Sequence, residues 1–163
     1  MSFGGRILLG FTCALVLASP AIAESKQNGV WQINGIFVEQ AWDRVIPGGS
    51  KTGAVYLTIH NTAQTNDLLL AVDSPAASHT AVHQSVVEND IAKMKPMPSG
   101  VELKSGTEII MKPGAMHIML TGLQDASQQD DQLPVTMVFR DAGRLEISVP
   151  VLPLGAKGPT VSH

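Results

Sequence analysis

Cysteine is almost missing from this chain. The only one, Cys13, lies in the opening stretch MSFGGRILLGFTCALVLASPAIAES. Long apolar runs are equally scarce. Ile7 to Ala18 is the one candidate, and at twelve residues it is too short to span a bilayer comfortably. Arg6 precedes it and Ala21-Ile22-Ala23 follows, which is the form of a secretory signal peptide cleaved before Glu24. Cys13 follows Phe11-Thr12 and so does not sit in a lipoprotein cleavage box. A chain cleaved after Ala23 has no disulfide, no thiolate metal ligand and no cysteine nucleophile, although it travels to a compartment where disulfides are allowed.

Charge is sparse as well. Charged residues make up 15% of the chain, and losing Arg6 takes the formal charge from −3 to −4. The basic residues are scattered, so no nucleic-acid surface is expected. No nucleophile–base arrangement and no acidic pair at a recognisable spacing stands out, which points away from an enzyme. Residues 47–53, PGGSKTG, lack the Gly-Lys-Ser/Thr order of a phosphate loop and read as a turn.

What the chain does have is period-two alternation. In GAVYLTIHN, Val55, Leu57 and Ile59 alternate with Tyr56, Thr58 and His60. Val135, Met137 and Phe139 do the same, and so do Leu145, Ile147 and Val149. Each run predicts a strand with one buried and one wetter face. Turn signals separate the runs: Pro47-Gly48-Gly49, Asn61-Thr62, Asp73-Ser74-Pro75, Pro98-Ser99-Gly100, Pro113-Gly114 and Asp141-Ala142-Gly143. With no long 3.6-period segment, the expectation is one antiparallel β-sandwich or barrel of seven to nine strands. The predicted division is residues 1–23 signal peptide, 24–35 N-terminal segment, 36–153 sandwich and 154–163 tail. Residues 24–29 and the tail are expected to be loosely ordered.

Methionine and histidine occupy places where neither is ordinary filler. As a strand, PGAMHIMLTG turns Met116, Ile118 and Leu120 one way and His117, Met119 and Thr121 the other. In HTAVHQSVVEN, Val82 and Val86 share a face and His83 lies opposite, with Ala81 and Ser85. Met94 follows in IAKMKPMPSG among lysines and prolines, which is not core behaviour for a thioether. Two imidazoles and two thioethers form a ligand set for Cu(I), whereas Zn(II) favours thiolate, imidazole or carboxylate. A blue-copper electron-transfer centre would need the missing thiolate. His60 reads as a surface residue. His79 is too far along its strand from His83 to share an ion.

The order His83, ten residues, Met94, then His117-x-Met119 resembles the signature of the PCuAC family of periplasmic Cu(I) chaperones. AWDRVIPGGSKTGAVYLTIHN, with Trp42, Pro47 and Tyr56, resembles that family's opening strands. NDLLLAVDSPAASHTAVHQSV and GVELKSGTEIIMKPGAMHIMLTGL resemble its later segments. Met94 and His117 enclose one residue more than the family's usual spacing, which keeps Met97 in view as a substitute loop ligand. The resemblance implies an all-β, single-domain, cupredoxin-like or immunoglobulin-like Greek-key β-sandwich. It implies one Cu(I) per chain on His83, Met94, His117 and Met119, with His163 on the tail as a candidate for a weak second site for Cu(II). It also implies a periplasmic monomer that delivers copper to extracytoplasmic sites. The chief one would be the CuA centre in subunit II of haem-copper oxidase, with a thiol-based Sco-like chaperone as a further partner. The alternative is a secreted β-sandwich that binds or stores copper without a part in oxidase assembly.

Overall fold

Every alternating run becomes a strand. The computed structural model describes residues 25–159 apart from Asn28 and Pro47. The expected signal peptide, Glu24 and His163 therefore lie outside the described residues. Among the described residues, twelve strands run in chain order: β1 (Ser25–Gln27), β2 (Val30–Ile33), β3 (Ile36–Arg44), β4 (Thr52–Asn61), β5 (Asp67–Asp73), β6 (Ala77–Glu88), β7 (Ile91–Pro96), β8 (Val101–Leu103), β9 (Glu108–Met111), β10 (Met116–Leu123), β11 (Gln132–Phe139) and β12 (Arg144–Leu152). Seven to nine strands were expected. The excess comes from pieces three or four residues long, β1, β2, β8 and β9, too short to display a period. The expected loose segment at 24–29 is in part a strand, since β1 pairs with β2.

The strands hydrogen-bond in the order β7-β6-β10-β4-β3-β12-β11-β5-β8, with β2 beside β3, β1 beyond β2 and β9 beside β4. The path turns at β3. Its first residues pair with β2 and β4, its register shifts between Glu39 and Trp42, and its last two pair in parallel with Val151 and Leu152. Gln40, inside the shift, has a φ of +54°. A bulge of this kind lets one strand pass from one half of a sandwich to the other. Both halves then turn their apolar sides to one core. Val55, Leu57, Ile59, Ile118 and Leu120 come from one half and Val135, Met137, Leu145, Ile147 and Val149 from the other. Burying such side chains contributes about 1.5–3 kcal/mol each.

The polar face of β4 departs from expectation. Tyr56 and Thr58 are buried, not wet, because β4 is central and bordered by β3, β10 and β9. His60, at its end, is half-exposed between two carboxylates, with Nε2 3.0 Å from Glu39 and Nδ1 3.5 Å from Glu108. The segment carrying Met94 is not a loop. It is β7, the edge strand of a hairpin with β6 whose two-residue turn, Asn89-Asp90, has φ of +52° and +62°. Positive φ at both positions is the twist-matched hairpin turn, which Asn and Asp tolerate without glycine.

Two buried aspartates pull in opposite directions. Asp67 accepts N–H bonds from Leu68, Asp141 and Ala142, which pins the β11–β12 turn to β5. Burial raises its carboxyl pKa, but these donors and the Arg140 charge outweigh that and hold it below its ordinary value. Asp43 accepts N–H bonds from Arg44 and Ala54 through Oδ1, while its Oδ2 is buried without a partner. Burial dominates there and raises the pKa. The signs follow from linkage. Asp67 stabilises the fold above its unfolded value, and this is lost as pH falls through the lowered folded value. Asp43 favours the fold while protonated, and stability is lost as pH rises through its raised value. Thermal unfolding should therefore show Asp43→Asn gaining on the wild type as pH rises from 3.8 through the raised value, and the lead of the wild type over Asp67→Asn shrinking as pH falls below 3.8. Differences that stay flat with pH would contradict both assignments.

Candidate metal site

Pro113-Gly114 turns the chain into β10, and alternation then splits the strand. Ile118 and Leu120 are fully buried in the core and Met116 packs against it, as expected. His117 and Met119 project from the opposite face. The register supplies their neighbours. His117 lies directly across from His83 on β6, and the two rings sit edge to face with centroids 6.0 Å apart. Met119 lies between Ala81 on β6 and Ala54 on β4, two small residues that leave room beside the thioether. On β7, Met94 pairs with Ser85, two residues from His83 and on its side of the sheet.

These side chains border a cleft of about 450 Å³ whose lining includes Arg44, Tyr56, Val86, Met94, His117 and Met119. His83 joins the group through its contact with His117. Val86, expected on the face of Val82, is only partly buried. Met97 does not join. It packs against the core and lines a separate groove with His79.

His117 was expected to face outward and is instead 6% exposed. Tyr56 covers it with ring centroids 6.3 Å apart, and Trp42 packs on Tyr56 at 4.8 Å. Sequence reading left Tyr56 out of the site, although its parity along β4 is that of Ala54. His117 Nδ1 lies 3.2 Å from the Ala115 carbonyl oxygen. A carbonyl can only accept, so Nδ1 carries the proton and Nε2 keeps a free lone pair. This is the arrangement that orients metal-binding imidazoles. His83 Nδ1 is buried and has no partner, a loss that a bound ion would repair.

The donors suit a soft ion. No carboxylate lines the cleft, and among the described residues no three His, Cys, Asp or Glu side chains group as metal ligands. Any ion held here would depend on Met94 and Met119, and thioether with neutral imidazole fits Cu(I). Burial lowers the His83 pKa, and the charges of His117 and His79 lower it further, which favours the neutral form that can donate to a metal.

Residues 36–151 match the model of the family described as "Putative lipoprotein LpqE-like". "Putative lipoprotein Lxx21020" of Leifsonia xyli subsp. xyli is 32% identical over 89% of this chain and 84% of its own length. Among solved structures, the copper-bound PCuAC domain from PmoF2 superposes with a TM-score of 0.64 at 21% identity, covering 76% of this chain and 97% of that domain. The solution structure of CuI-DR1885 from Deinococcus radiodurans gives 0.56 at 19% identity, covering 77% of this chain and 81% of that one. The fold is thus the cupredoxin-like β-sandwich of PCuAC domains.

The lowered His83 pKa has a measurable consequence. The unfolded imidazole takes up a proton near its ordinary value of 6.5, before the folded one does. Stability of the metal-free protein should fall with pH from there through the lower folded value, and His83→Gln should weaken that dependence. An NMR titration placing the folded His83 midpoint at or above 6.5 would contradict the burial argument.

Proposed function

The chain belongs to the LpqE-like family, and from that premise we propose that it is an exported copper carrier. It binds one Cu(I) on His83, Met94, His117 and Met119 and passes it to another extracytoplasmic copper site. The observation that supports this reading is a cleft lined by His117, Met94 and Met119 and, among the described residues, by no carboxylate, with His83 across the strand pair from His117. Both imidazoles act as neutral donors. The thioethers bind without losing a proton, so uptake does not depend on deprotonating a ligand. A cleft open to solvent gives an acceptor's donor groups access to the ion, which delivery needs and permanent sequestration does not.

Export is supported by the signal-like opening and by the lipoprotein description of the relative from Leifsonia xyli. The compartment we propose is the periplasm. The acceptor we propose is the CuA centre in subunit II of haem-copper oxidase, with a thiol-based Sco-like protein as a further partner and the carrier itself a monomer. A copper store with no part in oxidase assembly would hold the same ion but pass none on.

Under anaerobic reducing conditions, Cu(I) titration of the protein should saturate at one ion per chain. His117→Ala with Met119→Ala should remove that binding while the β-sheet circular dichroism is kept. Undiminished binding in the double variant would refute the site. Incubation of the loaded protein with a metal-free subunit II fragment should then move copper to the fragment, and retention of all the copper would favour storage.

A further inference from the structure

The four donors are not equivalent, and the difference gives the cleft a direction. His117 is 6% exposed, walled by Tyr56 and His83, and its Nδ1–H is committed to the Ala115 carbonyl. Met94 is 61% exposed on the edge strand of the sheet. Its hairpin overhangs the rest: β10 pairs with β6 only as far as Gln84, with one more bond from the Ser85 N–H to the Ala115 carbonyl. Beyond that point, among the described residues, the ladder continues only between β6 and β7. Val87 and Ile91 at the tip are 74% and 60% exposed. Glu88 pairs with both Lys93 and Lys95, which alternate with Met94 along β7 and so project from the other side of the hairpin. That pairing braces the arm without touching the cleft side.

Resting on the Cu(I) reading above, we infer that the carrier releases its ion from the Met94 side, with His117 as the anchored ligand and Met94 as the one that leaves first. Release is a ligand exchange. The bond from copper to the Met94 sulfur breaks as a lone pair of the incoming donor forms its own bond to the ion, and no electron changes hands. An incoming donor reaches the ion only where the ligand shell meets solvent, which is over the β7 edge. Displacing His117 would require moving a buried ring held by a backbone hydrogen bond and flanked by Tyr56 and His83. Displacing Met94 requires only rotation of an exposed, flexible thioether. Met119 sits between β6 and β4, within the sheet, so its sulfur is not the outer one although its chemistry is the same.

Removal of Cu(I) from the loaded full-length protein by the chelator bathocuproine disulfonate, followed by stopped-flow absorbance, tests this. Met94→Ala and Met119→Ala each delete one thioether, so a difference between them isolates position from donor chemistry. Met94→Ala should still bind one ion per chain and release it about tenfold faster than the wild type, which corresponds to about 1.4 kcal/mol. Met119→Ala should accelerate release less. Release from Met94→Ala at the wild-type rate, or faster release from Met119→Ala, would overturn the assignment. A wild type that takes up no Cu(I) would instead overturn the reading of the site on which it rests. The anchor has its own test in metal-free protein. Imidazole ¹⁵N shifts should show His117 as a single tautomer protonated at Nδ1, and an averaged pair of nitrogens would remove the Ala115 lock.

Discussion

The pairing of β10 with β6, in the register that sets His117 across from His83, is the constraint on which the rest depends. A strand has a side-chain period of two, so a slip of β10 by one residue would carry His117 into the core and push Ile118 out, breaking its match with His83. The register is therefore held by the burial of Ile118, Leu120 and Val82, which costs nothing to the polar face. The core fixes the site without touching it. Met119 gains its space in the same way, because the residues across from it on both neighbouring strands are alanines.

The second determinant is electrical. A soft ion held by neutral donors brings its full charge into the cleft, and no carboxylate lining the cleft offsets it. Asp43 lies close by, but behind Ala54, with its Oδ1 committed to two backbone N–H groups and its pKa raised by burial. Arg44 lines one end of the cleft, which adds a positive charge and no donor. Hard cations, which take oxygen ligands, find nothing here, whereas thioether and imidazole still offer lone pairs. On the proposed reading, selectivity would rest as much on the absence of carboxylates from the cleft as on the donors present.

Much of this was legible in the sequence because alternation is a local property. The split of PGAMHIMLTG into Ile118 and Leu120 against His117 and Met119 needed only the strand period. The cross-strand partner of His117 did not follow from the period, because register is a long-range fact; it entered through family resemblance. The edge hairpin was missed because its turn is Asn89-Asp90, which lacks the glycine that usually marks a two-residue turn, and because Lys93 and Lys95 read as a solvated loop. Those lysines are an ordinary feature of edge strands, where they discourage pairing with other chains. The burial of His117 was missed for a different reason. Parity assigns a face, but whether the face is wet depends on what packs over it, and Tyr56 reaches His117 only once β4 is seated beside β10.

On the proposed carrier reading, holding an ion and giving it up conflict, and this fold would separate the two demands in space. The side that must stay fixed is built into the middle of the sheet, where His117 shares its strand with two fully buried core residues. The side that must yield is placed on the last strand of the sheet, past the point where the core supports it. A mobile ligand in the middle of the sheet would loosen the core, because its strand neighbours are core residues. A rigid ligand at the edge would have to be held by contacts that also shut out the acceptor. Burial increases toward β10 and exposure toward β7, so on the proposed reading the position of each donor along that gradient would set how readily it exchanges.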